Sequence, residues 1–413
     1  MGMASQTEQP SSLADAVDCI RQMRSTLAAV ITGIPDFRFK RPNDLSTKLG
    51  LDPKLAWNIG RCIEETDPFA AAQFLPGPKG VKKLLEAAIR HHTPVDLANA
   101  ARVASDRFNE IVRHQAGTRR NFNILMAGNS KTVRPSADIE HRRRAFEGAS
   151  YIFGVHAQTI FRSCLAMPSD DPERWDFATL RGIVDFCRLR PNVAWRITRP
   201  VSVDADRTYH HDVPREAIDA NATTDENALP LMLDYCTHPV PKFRTVRGAY
   251  GHIEYEFVSD SVGIDSRITC ITGEMLRRFE PRYRNDVYDD FCLSFPIRTP
   301  AACLVFDVIV HRDLFAPTAP LRGELYNDLF AGGPGFYYEA SDRLPLHESV
   351  EYLGAGPDVA VTPDIPGYYE MLQMTLDRCD CRREDYDIHR IRIEYPPIAT
   401  RLLIRRPYPL RGE

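Results

Sequence analysis

The stretch ACLVFDVIV at residues 302–310 is a nearly unbroken apolar run that is rich in β-branched residues. Such a run is typical of a central β-strand that is covered on both faces. The run is too short to cross a bilayer and it carries Asp307, so we expect no membrane-spanning segment here. It therefore predicts a layered sheet in the second half of the chain.

Segments on both sides of this run alternate between apolar and polar residues, which is the pattern of half-buried strands. These segments are residues 194–198, 252–258, 266–272, 388–395 and 401–406. One helical stripe, at 365–378, lies among them, and loops that contain Pro and Gly separate them. We therefore predict a mixed second half with an antiparallel or mixed sheet.

The first third of the chain has the three- and four-residue apolar spacing of amphipathic helices. Ser12 and Asp15 form a predicted capping box in front of an apolar stripe that continues to about Ile31. Two further helices are predicted, one over 80–91 and one that begins at Thr93. This part of the chain is therefore predicted to be all-α.

The middle of the chain connects these two patterns. Helical spacing predicts helices over 137–166 and 177–189, whereas 118–136 loses the period and predicts a linker. The predicted fold class is α+β. The predicted parts are a helical, DNA-binding module at 1–117, a linker and helical connector at 118–190, and an α+β sensor or dimerisation domain at 191–413.

A short stretch inside the helical module has the layout of two helices joined by a sharp turn. It reads NDLSTKLGLDPKLAWNIGRCI at residues 43–63. Gly50 permits the turn, Asp52 caps the second helix, and Pro53 begins it. The outward face of that helix carries side chains that can contact phosphates, sugars or base edges. They are Lys54, Trp57, Asn58 and Arg61.

This stretch resembles the motif of bacterial helix-turn-helix transcriptional regulators, over 21 of the 413 residues. The resemblance implies that the helix from Pro53 is the recognition helix and that residues 44–49 lie across the DNA backbone. It also implies a homodimer, because one such helix reads only a short half-site. The alternative is an ordinary helical corner in a bundle, which needs no nucleic acid.

Basic residues near the motif provide candidate phosphate contacts. Arg38, Lys40 and Arg41 alternate with Phe37 and Phe39 just before it, and Arg119 and Arg120 follow later. Residues 1–150 hold 22 Lys and Arg against 16 Asp and Glu, an excess of six, although the whole chain has a net charge of −4. The expected partners are double-stranded DNA and a small-molecule effector, without a membrane.

A second hypothesis is a metal-dependent enzyme. Tyr209-His210-His211-Asp212, with Cys236 and His238 downstream, supplies nitrogen, sulfur and oxygen donors for a zinc-type site. The spacing matches no familiar zinc motif, and polar loop residues are the simpler explanation of these side chains. We therefore predict no metal-binding residue and no catalytic residue. Whether the protein is an enzyme stays open.

The other motifs that we searched for are absent, and their absence argues against several classes of protein. The chain contains no GxGxxG and no GxSxG, so no cofactor is expected. Its ten cysteines are scattered and its first residues lack a basic stretch followed by an apolar one. These features predict a cytoplasmic protein with reduced thiols. A purely structural or interaction protein is the third hypothesis.

Overall fold

The computed structural model describes residues 12–39, 41–130, 134–198, 202–203, 209–210, 215–222, 228–247, 253–259, 261–286, 289–314, 320–329 and 338–411. The chain divides into two compact units, Met1–Glu140 and His141–Glu413. The first unit is helical and the second contains the sheets, so the fold class is α+β, as predicted. None of the described helices combines the length and the apolar character that a membrane span needs.

The first unit is built from helices joined by short loops. They are α1 (Leu13–Thr32), α2 (Pro42–Leu49), α3 (Pro53–Glu64), α4 (Pro68–Ala71), α5 (Pro78–Arg90), α6 (Val95–Ala116) and α7 (Arg119–Asn129). A further helix, α8 (Arg134–Phe153), precedes the first strand.

Helix α1 begins with the predicted capping box. The Asp15 amide donates to Ser12 Oγ at 3.2 Å, and the Ser12 amide donates back to Asp15 Oδ2 at 2.6 Å. Apart from the exposed Leu13, the apolar stripe of α1 is buried, and Leu27 shares one core with Leu84 of α5 and Phe108 of α6. The helices predicted from the spacing in this part of the chain are therefore confirmed, although α6 begins at Val95 after Pro94 and not at Thr93.

The predicted linker at 118–136 is wrong over its first half, where the structure has helix α7. The Thr118 hydroxyl accepts a hydrogen bond from the Asn121 amide at 3.2 Å and caps the helix. Phe122 and Met126 are its only fully buried side chains among the described residues, and they lie one turn apart. Two apolar positions carry too little periodic signal to predict a helix.

The second unit contains the strands and one more helix. The strands are β1 (Val155–Pro168), β2 (Arg174–Arg188), β3 (Arg196–Thr198), β4 (Ser202–Val203), β5 (Tyr209–His210), β6 (Arg215–Ala217), β7 (Lys242–Arg247), β8 (Ile253–Val258), β9 (Ile268–Pro281), β10 (Asp290–Ile297), β11 (Ala301–His311), β12 (Arg322–Asn327), β13 (Arg343–Leu344), β14 (Glu351–Ala355), β15 (Tyr386–Glu394) and β16 (Thr400–Pro407). Helix α9 (Tyr368–Arg378) lies between β14 and β15 in the chain.

The largest sheet is mixed and has the strand order β14-β15-β11-β1-β2-β9-β6. Strand β1 runs parallel to β11 and antiparallel to β2. The predicted central strand at 302–310 is β11, and it lies between β1 and β15 as expected. A four-stranded sheet has the order β10-β16-β12-β13, and a three-stranded sheet has the order β3-β8-β7.

Both faces of the large sheet are covered. On one face, Leu304 and Phe306 of β11 share a core with Leu402 of β16 in the four-stranded sheet. On the other face, Val305 of β11 packs with Leu372 of α9. The layers are therefore sheet, sheet and helix, which explains the unbroken apolar sequence of the central strands.

The helix predicted over 137–166 is confirmed as far as Phe153 and is wrong beyond it, and the helix predicted over 177–189 is wrong. Helix α8 ends at Phe153, Gly154 follows with a left-handed φ of 70°, and β1 begins at once. The second segment lies within β2. A strand buried on both faces has apolar residues on both faces and no strict alternation, so it satisfies the helical spacing as well as the strand spacing.

A buried polar cluster attaches α9 to the large sheet. Asp307 is completely buried, and both of its oxygens accept hydrogen bonds from Arg390 of β15, at 2.8 and 2.7 Å. The Tyr368 hydroxyl donates to Asp307 Oδ2 at 2.6 Å and lies 2.6 Å from the Ser163 hydroxyl. Every polar group of this cluster is engaged, so we interpret it as structural.

Stability of the second unit is expected to depend on Glu280. This carboxylate lies opposite Trp175 in the β2–β9 pair and accepts from the Tyr408 hydroxyl at 3.1 Å, and burial raises its pKa to about 7. The fold favours the neutral acid. The stabilisation that Glu280 gives the folded state is therefore fully present below the ordinary glutamate pKa of 4.5 and is lost as the pH rises through 7. Glu280→Gln should therefore stabilise the protein above pH 7, by on the order of 2 kcal/mol.

The measurement is the melting temperature of parent and variant between about pH 4.5 and pH 8.5. The control is Glu351→Gln, because Glu351 is exposed at a sheet edge. A difference between Glu280→Gln and the parent that does not change with pH would contradict the assignment.

Candidate functional site

The predicted helix-turn-helix corner is present in the first unit. Helix α2 ends at Leu49, and Gly50 follows in the left-handed region with φ 64° and ψ 32°. Asp52 then caps α3, because its Oδ1 accepts from the amides of Lys54 at 3.0 Å and Leu55 at 3.2 Å. The turn and the cap were both predicted from the sequence, and they fix where α3 begins.

The inward side of the corner is held by packing and by one arginine. Ile59 and Cys62 of α3 are fully buried. Arg24 of α1 donates to the Cys62 carbonyl at 2.8 Å and to the Ile63 carbonyl at 3.2 Å. These carbonyls belong to the last turn of α3, which has no intrahelical donors for them. Arg24 therefore attaches the end of α3 to α1.

The outward side of α3 is open to solvent. Trp57 is 48% exposed, the Arg61 side chain is 43% exposed, Lys54 is exposed, and Asn58 is half-buried. We call these four residues the α3 surface. The predicted contact residues on this helix thus share one accessible face.

Arg61 is less free than its exposure indicates. Its guanidinium lies 4.0 Å from both Glu64 and Glu65, and it lies 5.5 Å from the ring centroid of Phe74. Trp57 contacts the same Phe74 ring edge-on at 5.6 Å. The aromatic contacts orient Arg61 and Trp57, while the two carboxylates offset part of the positive charge.

The predicted basic arm is only partly described. Lys40 lies outside the described residues, while Arg38 and Arg41 are exposed. Phe37 and Phe39 pack against the core of the first unit. The arm therefore turns its aromatic side chains inward and its described arginines outward.

A second group of cations adjoins the α3 surface and was missed in the sequence. Lys79, Lys82 and Lys83 are exposed on the first turns of α5, and we call them the α5 lysines. Helix α5 begins beside α3, because a Cβ placed on Gly80 would lie 3.0 Å from Leu55 Cδ1. The spacing of three lysines on one helical side was the available signal.

Arg119, a predicted phosphate contact, has a structural role instead. It donates to the carbonyls of Ala72 at 2.6 Å and Leu75 at 3.0 Å, and its guanidinium lies 4.6 Å from the Phe108 ring centroid. Burial lowers its pKa to about 10. Its neighbour Arg120 is exposed. Arg119 is therefore removed from the set of phosphate contacts.

The alternative metal site receives no support from the described residues. His211, Asp212 and the side chain of His210 lie outside them. The Cys236 thiol donates to the Ile271 carbonyl at 3.5 Å. Within the described ranges, no three His, Cys, Asp or Glu side chains are grouped so that they could hold a metal ion.

The second unit contains a cavity whose charged residues the sequence analysis did not identify. It is lined by Arg162 of β1, Arg181 of β2, Arg196 of β3, Glu274 of β9 and Arg298 after β10, together with apolar side chains. Arg162 and Arg181 interrupt apolar strand sequences, and a charge inside such a run was the available signal.

The corner should depend on glycine at position 50. We expect Gly50→Ala to destabilise the first unit by about 1 kcal/mol, because a side chain disfavours the left-handed backbone. Nothing lies within 4 Å of the added Cβ, so the backbone alone would account for the loss. The measurement is urea unfolding of the full chain.

The control is Gly128→Ala in helix α7, where the added Cβ also meets nothing within 4 Å and φ is not positive. It should be neutral or stabilising. Equal losses in both variants would show that the turn does not require glycine.

Comparison with known proteins adds little to this geometry. No family model and no curated protein sequence matches the chain. One solved structure, a "putative protease" from Parabacteroides distasonis, aligns with 62% of this chain and 41% of its own, at 10% identity and a TM-score of 0.26. The chain thus spans less than half the length of that protein, and a similarity this low carries no argument about fold or function.

Proposed function

We propose that the first unit binds duplex DNA through α3 and that the protein is a transcriptional regulator of the helix-turn-helix kind. The observation that carries the proposal is the open α3 surface beyond a left-handed turn at Gly50. A helix that projects beyond such a turn can enter a major groove, while the preceding helix lies across the backbone.

The contacts would divide into two sets. Arg38, Arg41 and the α5 lysines are exposed cations of the first unit, which suits contacts with phosphates. Lys54, Asn58 and Arg61 lie on the helix itself and would contact base edges. Lys40 belongs to the first set as a prediction.

Glu64 and Glu65 bring negative charge to the C-terminal end of α3. They lie 4.0 Å from the Arg61 guanidinium, and an approaching phosphate would be repelled by them. Binding therefore requires α3 to approach DNA with its N-terminal half, where Lys54 and the α5 lysines lie. Many recognition helices contact base edges with their N-terminal residues.

The proposal also includes the expected homodimer, the role of the second unit and the cytoplasmic location. A homodimer would place two α3 helices on two half-sites, and the second unit would supply dimerisation or effector binding. A cytoplasmic location agrees with the ten cysteines, all of which are free thiols. A metal-dependent enzyme and a purely structural protein are the alternatives, and no described feature favours either.

The first test is a salt titration. The full chain should bind a fluorescein-labelled random-sequence duplex with an affinity that falls steeply between roughly 50 and 200 mM salt. Lys79→Ala should weaken binding and reduce the slope of log K against log salt by about 1. The readout is fluorescence anisotropy.

The matched control is Arg90→Ala at the other end of α5. Arg90 is exposed and carries the same charge, but it lies about 16 Å along the helix from Lys79 at 1.5 Å per residue. Equal effects of the two variants would mean that binding depends on overall charge. No salt-dependent binding by the parent would end the proposal.

The second test removes the carboxylates. We expect the double variant Glu64→Gln, Glu65→Gln to bind the same duplex roughly threefold to tenfold more tightly at low salt, because two charges that repel the DNA from the far end of the same helix are lost and screening over that distance is weak at low salt. The control is Asp106→Asn, an exposed acid on α6. Unchanged or weaker binding of the double variant would place the DNA away from α3.

A further inference from the structure

The cavity of the second unit lies where the large sheet faces β10 and β3. Its volume is about 170 Å³. A cavity of about 150 Å³ is sufficient for a molecule of the size of benzene. The space is therefore suitable for a small organic ligand.

Two arginines lie side by side in its wall. Arg162 of β1 is directly opposite Arg181 of β2 in the antiparallel register, so their side chains leave the sheet on the same face. Directly opposed residues have Cβ atoms about 5 Å apart, and two like charges at that distance destabilise a sheet. The Arg162–Arg181 pair therefore destabilises the folded protein unless a nearby negative charge offsets the repulsion.

The protein itself supplies little of that negative charge. Arg162 donates to the Ser294 carbonyl and to Thr179 Oγ1, which are neutral acceptors. The Nε of Arg181 is buried and has no hydrogen-bond partner. In the described part of the chain, neither arginine takes part in an ion pair, and the same holds for Arg298 at the cavity edge.

The carboxylate in the cavity wall is already engaged. Glu274 accepts from Arg215 at 3.1 Å. Arg196 in turn pairs with Glu254 at 3.2 Å and Glu256 at 3.1 Å, so it does not add free positive charge. The cations without an ion pair are therefore Arg162, Arg181 and the exposed Arg298, and Glu274 offsets only part of the charge of Arg181.

The pKa of the Arg181 guanidinium agrees with this description. Burial is the main cause that lowers it, and the positive charge of Arg162 lowers it further, whereas the negative charge of Glu274 raises it in part, so that the pKa is about 9. An anion between the two guanidinium groups would offset the repulsion between Arg162 and Arg181. It would also supply hydrogen-bond acceptors to the buried Arg181.

The rest of the wall is apolar. Ile160, Ile183, Ile197, Leu229 and Phe295 line the cavity next to the arginines. We propose that this cavity binds a small organic anion, with a compact oxyanion head between Arg162 and Arg181 and an apolar body against these side chains. The inference gives the proposed effector a site and a chemical class, but it rests on the second unit alone.

The test uses the full chain without DNA, so its failure is distinguishable from failure of the DNA-binding proposal. The probes are phenyl phosphate and benzoate, with benzyl alcohol as the uncharged counterpart and inorganic phosphate as the head alone. Calorimetry and thermal melting should show that at least one of the aromatic anions binds and raises the melting temperature. Benzyl alcohol and inorganic phosphate should each bind at least about tenfold more weakly than that anion.

The discriminating variant is Arg181→Met. It should raise the melting temperature of the ligand-free protein, because it removes a buried cation without an acceptor, and it should weaken anion binding by at least about tenfold. Arg174→Met is the matched control, since Arg174 lies on the same strand with an exposed side chain outside the cavity. It should bind the anion as the parent does.

Three results would overturn the proposal. They are equal binding of the anions and benzyl alcohol, unchanged anion binding by Arg181→Met, and a lower melting temperature of that variant without ligand. If Arg181→Met does not fold, Arg181→Lys replaces it. The lysine variant retains the charge but loses the planar donor pair, so an affinity equal to that of the parent would also overturn the proposal.

Discussion

Strands β1 and β11 are paired in parallel and covered on both faces, so a charged side chain on them must find its partner inside the protein. On the face under α9 this condition is met, because Asp307 accepts two hydrogen bonds from Arg390 and one from Tyr368. On the opposite face, Arg162 has only neutral acceptors and Arg181 has a buried nitrogen with none. The same sheet thus carries a compensated charge on one face and cations without an ion pair on the other, and this difference separates a structural cluster from a candidate binding site.

The sequence was sufficient for the fold class because the two halves differ in periodicity. Ser12 and Asp52 identify helix starts through hydrogen bonds between close neighbours, and such local contacts can be read from short stretches. The prediction failed where burial is complete. In β1 and β2 nearly every position is buried and apolar residues lie on both faces, so the spacing did not distinguish strand from helix, and only the left-handed Gly154 marks the change.

The candidate sites differ in the same way. The four residues of the α3 surface belong to one helix, and helical geometry alone places them on one face. Arg162 and Arg181 come together only through the register of two strands, which a single sequence does not specify. Arg119 shows the opposite error, because two adjacent basic residues indicate a surface, yet contacts with Ala72 and Phe108 turn the Arg119 side chain inward and leave it only half-exposed.

The two cationic surfaces also differ in when their charges lose water. Lys54 and the α5 lysines are hydrated and mobile before any ligand arrives, so each attracts phosphate weakly, over about one Debye length, and the sum is sensitive to salt. Such a surface suits a polyanion that presents many charges at once. Arg162 is buried and Arg181 is half-buried, so both have lost part of their water during folding, and a ligand that enters the cavity does not bear that cost again. Two partly desolvated guanidinium groups on one sheet face therefore select a small anion by shape and geometry, and its affinity should depend less on ionic strength than that of α3.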